Sequence, residues 1–279
     1  MSKIKEILSV GINSNMLKTI AIIAMVIDHI AFYFSPVLPN GIYVLSRALG
    51  RIAMPIFVYI LVQGFFHTKN YKKYILRIGI FAVITQVLIT ILMAINIKFV
   101  PGYIAAKQVY ITGNILFTFV LCLAVMKILH EDILVKKWTY NKNLSLKIIL
   151  VGIIFIACIF MPLDYGVEAV LLSMLMYYLE KLKITIMIEK TKGPVTIKNI
   201  LLNSINENKL QMLYLSLVFV ILFMLVIYFN AYWTVMLAII PISLYNNKRG
   251  ENKFKYIYYI IFPLQHVLLY SLGLIITLT

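Results

Sequence analysis

The 279-residue sequence is poor in the residues with which soluble proteins cover their surfaces. Only 13% of its residues are charged, whereas soluble domains average about 25%. Hydrophobic residues make up 62% of the chain, and the mean hydropathy is +0.95. No stretch is polar enough to form a separate soluble domain. The composition therefore predicts a single all-α, polytopic membrane domain over residues 1–279.

Acidic residues are the scarcest group, with 10 Asp and Glu against 26 Lys and Arg and a formal net charge of +16. A basic excess of this kind is also found in nucleic-acid-binding proteins. Here, however, the basic residues lie mainly in short connectors between apolar runs, where they set membrane orientation. The aromatic residues lie within the apolar runs rather than beside the lysines. We therefore expect no nucleic-acid partner.

The sequence contains only two cysteines, Cys122 and Cys158, and each lies inside an apolar run. A buried thiol behaves as a small hydrophobic group, so we expect neither a disulfide framework nor a metal site. No Walker motif or GxGxxG sequence indicates a nucleotide site. No A-x-A cleavage pattern follows the first long apolar run, so we expect that run to stay in the membrane uncleaved.

Nine apolar runs are close to the ~20 residues that cross a bilayer. Connectors rich in Lys and Arg alternate with connectors that hold few or none. Segment 181–210 holds six lysines and connector 161–166 holds none, while the connector after the third span weakens the pattern with Lys98 and Lys107. Because cytoplasmic connectors are enriched in Lys and Arg, this alternation predicts an inside N-terminus and an outside C-terminus. The composition, rich in Lys, Ile and Asn, is typical of an AT-rich bacterial genome, so we expect the protein in the bacterial cell membrane. The predicted spans are 17–36, 43–66, 74–97, 110–129, 146–162, 164–180, 211–229, 231–245 and 256–277.

Ionisable residues lie inside these runs, although a charge in hydrocarbon costs a few kcal/mol or more. Asp28 and His29 lie in the first span, and Arg47 and Arg51 lie four residues apart on one face of the second. At a rise of about 1.5 Å per residue, polar residues of later spans fall at a similar depth, between the midplane and the outer surface. Their common depth predicts a shared polar cavity. These later residues are Asn114, Asp164, Glu168 and His266.

Each of these residues also has a purely structural explanation. Asp164, at a turn, is typical of a helix N-cap, and Glu168 can pair with an arginine to make its burial tolerable. Arg47 is shallow enough to reach the interface, and His266 can be a packing residue. Gln86 is expected to link helices by hydrogen bonding. Two histidines at the inner ends of spans are expected to be interfacial, namely His67 and His130.

Several stretches carry a resemblance to a known family. LKTIAIIAMVIDHIAFYF (17–34) and SRALGRIAMPIF (46–57) resemble the opening of the TraX family, the membrane proteins of conjugal transfer that acetylate the pilin N-terminus. Further similarity lies at ITGNILFTF (111–119), MPLDYGVEAVL (161–171) and KYIYYIIFPLQHVLLYSL (255–272). More distantly, the family is similar to transmembrane acyltransferases with a histidine in an early span. In those proteins acetyl-CoA enters from the cytoplasm and the acyl group passes to an acceptor on the far side.

The resemblance implies that acetyl-CoA is the donor and that no metal takes part. The implied acceptor is an exported pilin-like peptide or a cell-surface glycan, and the protein is expected to contact membrane lipid. We expect His29 to be the general base or a transient acetyl carrier, since imidazole moves protons near neutral pH. Asp28 is expected to orient its surroundings and Arg51 to stabilise the oxyanion. The residues expected to bind the cofactor are Arg47, Arg77 and Lys73. Those expected on the substrate side are Asn114, Asp164, Glu168 and His266.

Two other classes of function fit the same polar residues. A proton-coupled transporter, or a lipid or glycan flippase, would use Asp28, His29 and Arg51 as a proton relay. A non-catalytic membrane partner of a secretion complex would need no chemistry at all. Only the enzyme consumes a thioester, so acyl-CoA consumption separates it from both alternatives.

The alternation of basic and neutral connectors makes a topological prediction. A reporter fused after Thr279 should lie outside the cell, and a reporter inserted in segment 181–210 should lie in the cytoplasm. Fusions to enzymes that are active on only one side of the membrane would measure this. Finding both reporters on the same side would contradict the nine-span arrangement.

Overall fold

The computed structural model describes residues 11–99, 113–131, 135–192, 214–223, 233–250 and 257–278. Within these ranges the regular structure is helical, accompanied by two isolated β-bridges. The first seven helices are α1 (Ser14–Tyr33), α2 (Asn40–Gly50), α3 (Ala53–His67), α4 (Tyr71–Phe99), α5 (Ile115–His130), α6 (Tyr140–Phe160) and α7 (Gly166–Lys192). They are followed by α8 (Tyr214–Phe223), a 3₁₀ turn (Trp233–Ala238), α9 (Ile239–Ser243) and α10 (Ile257–Leu278).

Four helical stretches are long and apolar enough to cross a membrane, namely Ser14–Tyr33, Asn40–His67, Tyr71–Leu92 and Tyr140–Phe160. Shorter apolar helices lie at Ile115–His130, Tyr214–Phe223, Trp233–Ser243 and Ile257–Gly273. The fold is therefore that of an all-helical membrane protein. The number of spans and their orientation stay predictions. Part of predicted span 211–229 and the end of segment 181–210 lie outside the described residues.

The second predicted span, 43–66, is divided in two. Helix α2 ends at Gly50 and α3 begins at Ala53, with a turn at Arg51 and Ile52. Pro55, in the first turn of α3, has no N–H with which to bond the Arg51 carbonyl, so the helical ladder is interrupted at this point. Arg51 is still one helical turn after Arg47, since its amide donates to the Arg47 carbonyl across 3.2 Å, but the two side chains contact different elements.

The sixth predicted span, 164–180, is longer in the structure than in the prediction. Helix α7 runs from Gly166 to Lys192, so the first part of polar segment 181–210 continues the helix. Lys183, within this extension, is buried, and its ammonium lies 5.2 Å from the ring centroid of Tyr214. Side-chain burial thus allows the helix to extend past the apolar run.

Six helices form a closed ring in which each one contacts the next: α1, α10, α4, α5, α7 and α3. Helix α3 is the most buried of the four long apolar stretches, because it contacts α1, α5 and α7 together. Helix α6 packs outside the ring on α5 and α7. It exposes a row of large apolar side chains, as expected for a surface that faces lipid. These are Ile148, Ile149, Ile153, Ile156, Ile159 and Phe160.

Two backbone clasps join segments that are distant in the sequence. The Ile12 amide donates to the Leu244 carbonyl across 2.7 Å, and the Ser14 amide donates to the Lys248 carbonyl across 2.8 Å. At the second clasp the Gly113 amide donates to the Pro162 carbonyl across 2.6 Å. The clasps fix the start of α1 against residues 244–248 and the start of α5 against the connector that precedes α7.

Helices α1 and α2 approach most closely at Gly50. A Cβ atom added there would overlap the Asp28 Cβ and lie 2.6 Å from Asp28 Oδ1. Only glycine allows the two backbones to come this close. Gly41, in the same helix, has no atom within 4 Å of an added Cβ.

These two glycines make a matched test of the α1–α2 contact. Gly50→Ala should lower the free energy of unfolding by about 1–3 kcal/mol, because the new methyl group must displace Asp28. Gly41→Ala should leave stability unchanged or raise it slightly, since alanine favours a helix. Thermal unfolding of both variants in the same detergent would measure this. Equal stability of the two variants would contradict the close approach at Gly50.

Candidate functional site

One cavity of ≈ 1030 Å³ lies inside the helix ring. Its walls come from α1, α3, α4, α5 and α10, with contributions from α2, from connector residues 163–165 and from residues 245–249. The volume is at the upper limit of small-molecule and cofactor pockets, about 300–1,000 Å³. We call its two ends the histidine end, around His29 and His266, and the basic end, around Lys18 and Lys73.

The histidine end contains two imidazoles in contact. The ring centroids of His29, on α1, and His266, on α10, are 4.6 Å apart. The Tyr33 hydroxyl and His266 Nδ1 share a hydrogen bond of 2.8 Å. Tyr33 is four residues after His29 and so lies on the same face of α1. The buried atoms His29 Nδ1 and His266 Nε2 are not in hydrogen-bonding geometry with another group in the described part of the chain.

An ion pair lies beside the histidines. Arg47 Nη1 donates to Asp28 Oδ2 across 2.7 Å, and the two side chains are only 14% and 13% exposed. The guanidinium also lies 5.5 Å from the ring centroid of Phe32. Asp28 points toward α2 while His29 points toward α10, as expected for neighbours about 100° apart on a helix. The Arg47 guanidinium thus gives the buried carboxylate beside the imidazoles a compensating charge.

Arg51 contacts the connector before α7 rather than α1. Its Nη1 donates a short hydrogen bond to the Tyr165 hydroxyl, and its guanidinium lies 5.3 Å from the Tyr165 ring centroid. Tyr165 has a φ of 52° and Asp164 also lines the cavity. The Asp164 carbonyl accepts from Thr118 Oγ1 across 2.7 Å, which ties the connector to α5. These contacts hold a fixed positive charge at the histidine end.

Asn114 lies in the cavity wall, but its polar atoms are engaged by the protein. Its side-chain oxygen accepts from the Leu116 amide and so caps α5. Its Nδ2 donates to the Ala82 carbonyl across 2.9 Å and to Gln86 Oε1 across 3.0 Å. The expected linking role of Gln86 is therefore confirmed. Asn114 fixes α5 to α4. Its side-chain oxygen and Nδ2, with which it could have bound a substrate, are occupied by these structural hydrogen bonds.

The basic end collects cations from three parts of the chain. Lysines and an arginine come from the α3–α4 connector and α4, one lysine comes from α1, and one arginine comes from the segment after α9. The lining residues include only two carboxylates, Asp28 and Asp164, and both are at the opposite end. The basic end is therefore a region of positive potential suited to an anion. Its cations are Lys18, Lys69, Lys73, Arg77 and Arg249.

Two tyrosines of α10 support these cations. The Lys18 ammonium lies 5.4 Å from the ring centroid of Tyr258, and the Arg77 guanidinium lies 5.8 Å from that of Tyr259. Tyr259 also stacks on Phe81 with centroids 5.3 Å apart. Cation–π contacts of this kind hold long basic side chains against a wall without neutralising them.

The structure brings most of the predicted site residues to this one cavity. Asp28, His29, Arg47, Arg51, Asn114, Asp164 and His266 lie toward the histidine end, and Lys73 and Arg77 lie at the basic end. Glu168 lies outside the lining residues. Of the two histidines expected at the interface, His67 lines the cavity, whereas His130 contacts Tyr177 and the aromatic residues of α3.

The sequence prediction missed several residues of the cavity. Tyr33 could have been found from its spacing of four from His29, and Tyr165 from its place beside Asp164. Lys18 and Arg249 lie in basic connectors, where a role in membrane orientation explains them equally well. Nothing in the sequence indicates that the two are brought together. Among the described residues, no group of three or more His, Cys, Asp or Glu side chains could hold a metal ion.

Comparisons with known proteins agree with the resemblance in the sequence. The family described as TraX protein matches residues 13–273. A probable fimbrial assembly protein, FimC of serogroup H1 from Dichelobacter nodosus, is 31% identical over 185 residues, 62% of this chain and 66% of that protein. An uncharacterized protein, RP591 from Rickettsia prowazekii (strain Madrid E), is 44% identical over 78 residues, 28% of this chain and 27% of that protein. The chain thus covers just under two thirds of the first relative's length. No solved structure matches it.

The Asp28–Arg47 pair makes a prediction about stability. Asp28→Asn or Arg47→Gln alone should cost up to about 3–5 kcal/mol, because each leaves one buried charge unpaired. The double variant should be more stable than the sum of the single effects predicts, since neither charge then remains. Thermal unfolding of the four proteins in one detergent would measure the coupling. Purely additive effects would show that the two side chains do not stabilise each other.

Proposed function

This chain belongs to the TraX family, and we propose that it is an integral membrane acetyltransferase. The donor is acetyl-CoA, and the acceptor is an amine or hydroxyl presented on the outer side of the membrane. The observation that carries the proposal is the shape of the cavity, which joins a cationic end to a pair of buried imidazoles. A donor with phosphates at one end and a reactive thioester at the other matches this arrangement.

The orientation predicted from the connectors gives the cavity a direction. In a nine-span arrangement with the N-terminus inside, the basic end faces the cytoplasm and the histidine end lies toward the outer half of the bacterial cell membrane. His29 follows Lys18 by eleven residues on α1, a distance of about 16 Å along the helix. The cavity therefore leads acetyl-CoA from the compartment that supplies it to the outer half of the bilayer.

In the proposed reaction the acceptor's nitrogen or oxygen attacks the thioester carbonyl. His29 takes the proton of the attacking group, a bond from carbon to that nitrogen or oxygen forms, and the carbon–sulfur bond breaks. The departing CoA thiolate then receives the proton from the imidazolium. His266, held by Tyr33 and in contact with His29, fixes the orientation of the first ring.

Charges on either side of His29 have separate proposed roles. Arg51, fixed by Tyr165, stabilises the negative oxygen of the tetrahedral intermediate, since a guanidinium stays charged in a dry site. Arg47 was expected to bind the cofactor, but it pairs with Asp28 far from the basic end, so we assign it to neutralising that carboxylate. Lys73 and Arg77 remain the proposed ligands of the CoA phosphates.

The acceptor is proposed to approach from the opposite side to CoA. Asp164 and His266 line the histidine end and are placed to meet it, whereas Asn114 is engaged in capping α5 and Glu168 lies outside the cavity lining. The relative from Dichelobacter nodosus is a probable fimbrial assembly protein. Its name favours the amino terminus of a pilus subunit over a surface glycan as the acceptor.

Substitution of His29 tests the proposal. His29→Ala should lower acetyl transfer from acetyl-CoA by roughly two to four orders of magnitude, the usual contribution of a general acid–base group. His29→Gln should be no better, because an amide keeps a hydrogen bond but cannot accept the proton. Release of CoA by purified protein in the presence of an acceptor peptide would measure the rate.

His130→Ala is the matched control, because His130 is exposed and lies outside the cavity lining; its transfer rate should match that of the unsubstituted protein. A well-folded His29→Ala variant that kept most of its activity would remove His29 from the mechanism and make His266 the candidate base. Substrate flux driven by a proton gradient, with no acyl-CoA consumed, would replace the enzyme by a transporter.

A further inference from the structure

The basic end of the cavity consists of two cationic groups rather than one. Lys73 and Arg77 lie one turn apart on α4. Lys18 lies on α1, and Arg249 follows Lys248, whose carbonyl accepts from the Ser14 amide across 2.8 Å. The clasp between the start of α1 and residues 244–248 therefore places Arg249 near Lys18. We call Lys18 and Arg249 the clasp pair.

We propose that the clasp pair binds a terminal phosphomonoester of the donor, the 3′-phosphate of CoA, separately from the pyrophosphate held by α4. This inference rests on the proposed function and adds a determinant of specificity to it. It predicts that the protein distinguishes CoA from dephospho-CoA, which differ only in that phosphate. No role in binding follows for either residue from the sequence or from the relatives.

Among the described residues, no acidic side chain compensates the charges of the clasp pair. Neither Lys18 nor Arg249 forms an ion pair with a carboxylate in the described part of the chain, where the ion pairs are Asp28–Arg47 and Lys127–Glu131. Two nearby cations repel each other, and an anion bound between them would relieve that repulsion. A phosphomonoester carries about −1.5 to −2 charges at pH 7, enough to balance both.

The depths of the two groups along the cavity fit the order of phosphates in the donor. Helix α4 runs from Lys73 at the basic end to Ile89, which packs with Tyr33 near the histidines. Counting about 1.5 Å per residue back from Tyr33 and Ile89, Arg77 lies roughly one helical turn nearer to the histidines than Lys18 does, whereas Lys73 lies at about the same depth as Lys18. The pyrophosphate, which is attached to the arm that carries the thioester, belongs at Arg77, the deepest of these cations. The 3′-phosphate, on the ribose beyond it, belongs at the shallower clasp pair.

Neighbouring residues hold both members of the clasp pair in place. Tyr258 holds Lys18 through a cation–π contact and its hydroxyl donates to the Asn15 carbonyl across 3.4 Å. Gly250, with a φ of 78°, approaches Asn13 so closely that an added Cβ would lie 2.8 Å from Asn13 Oδ1. The backbone after Arg249 is therefore held against the N-cap of α1, so the arginine is anchored at both of its neighbours.

The test compares binding of CoA and dephospho-CoA to the full-length purified protein in detergent. The unsubstituted protein should bind CoA at least about 10-fold more tightly, the usual effect of hydrogen bonds between charged groups. Lys18→Met and Arg249→Gln should each weaken CoA binding about 10-fold and leave dephospho-CoA binding unchanged. Arg77→Gln should weaken both ligands equally, and Lys142→Met, an exposed lysine outside the cavity, should affect neither.

Equal affinity of the unsubstituted protein for CoA and dephospho-CoA would overturn the inference while leaving the acetyltransferase intact. The same conclusion would follow if Arg249→Gln weakened both ligands to the same degree, since the residue would then act on the shared pyrophosphate. Failure to bind either ligand would instead reject acetyl-CoA as donor and the proposed function with it. Lys18→Met and Arg249→Gln lie on different elements. If one variant misfolds, the other variant and the comparison of CoA with dephospho-CoA on the unsubstituted protein still decide the question.

Discussion

The pairing of Asp28 with Arg47 is the interaction on which the rest of this structure depends. A carboxylate within an apolar helix bundle requires a compensating charge within hydrogen-bonding distance, and here the distance is 2.7 Å. To supply that charge, α2 must lie against α1, which only a glycine at position 50 permits. Because the helix is interrupted at Arg51, the Arg51 guanidinium points away from that of Arg47 and contacts Tyr165. Two cations are thus distributed to two partners around one imidazole.

The two ends of the cavity, which lie at opposite ends of α1, differ in their electrostatic potential. At the basic end, cations face each other with no carboxylate among the lining residues, so the region attracts an anion from solution. At the histidine end the lining charges balance, with Arg47 and Arg51 against Asp28 and Asp164, so the region has little net charge to attract a ligand. For the acetyltransferase proposed above, such an arrangement would let the binding energy of the phosphates position the thioester beside the imidazoles.

Much of the fold follows from local features of the sequence. Apolar runs predict where α1, α4 and α10 lie to within a few residues, and Asn13 and Asn114 cap the helices that they precede. Depth along a helix also predicts that His29, Arg51, Asp164 and His266 share one level. Partners cannot be predicted in this way. Tyr33 and His266 are 233 positions apart, and their bond depends on how α1 and α10 pack. The division of the second span was missed because hydropathy does not register the missing N–H of Pro55.

The closure of the helix ring by α10 has a consequence for how the protein is made. Chains enter the membrane from the N-terminus as they are synthesised, so α1, with Asp28 and His29, is inserted long before α10 exists. Arg47 and Gly50 arrive soon afterwards and can neutralise the carboxylate at once. His29, in contrast, meets the ring of His266 only when the final described helix packs between α1 and α4. Charge compensation is thus an early, local event of biogenesis, whereas the contact between the two imidazoles forms only after α10 has been made.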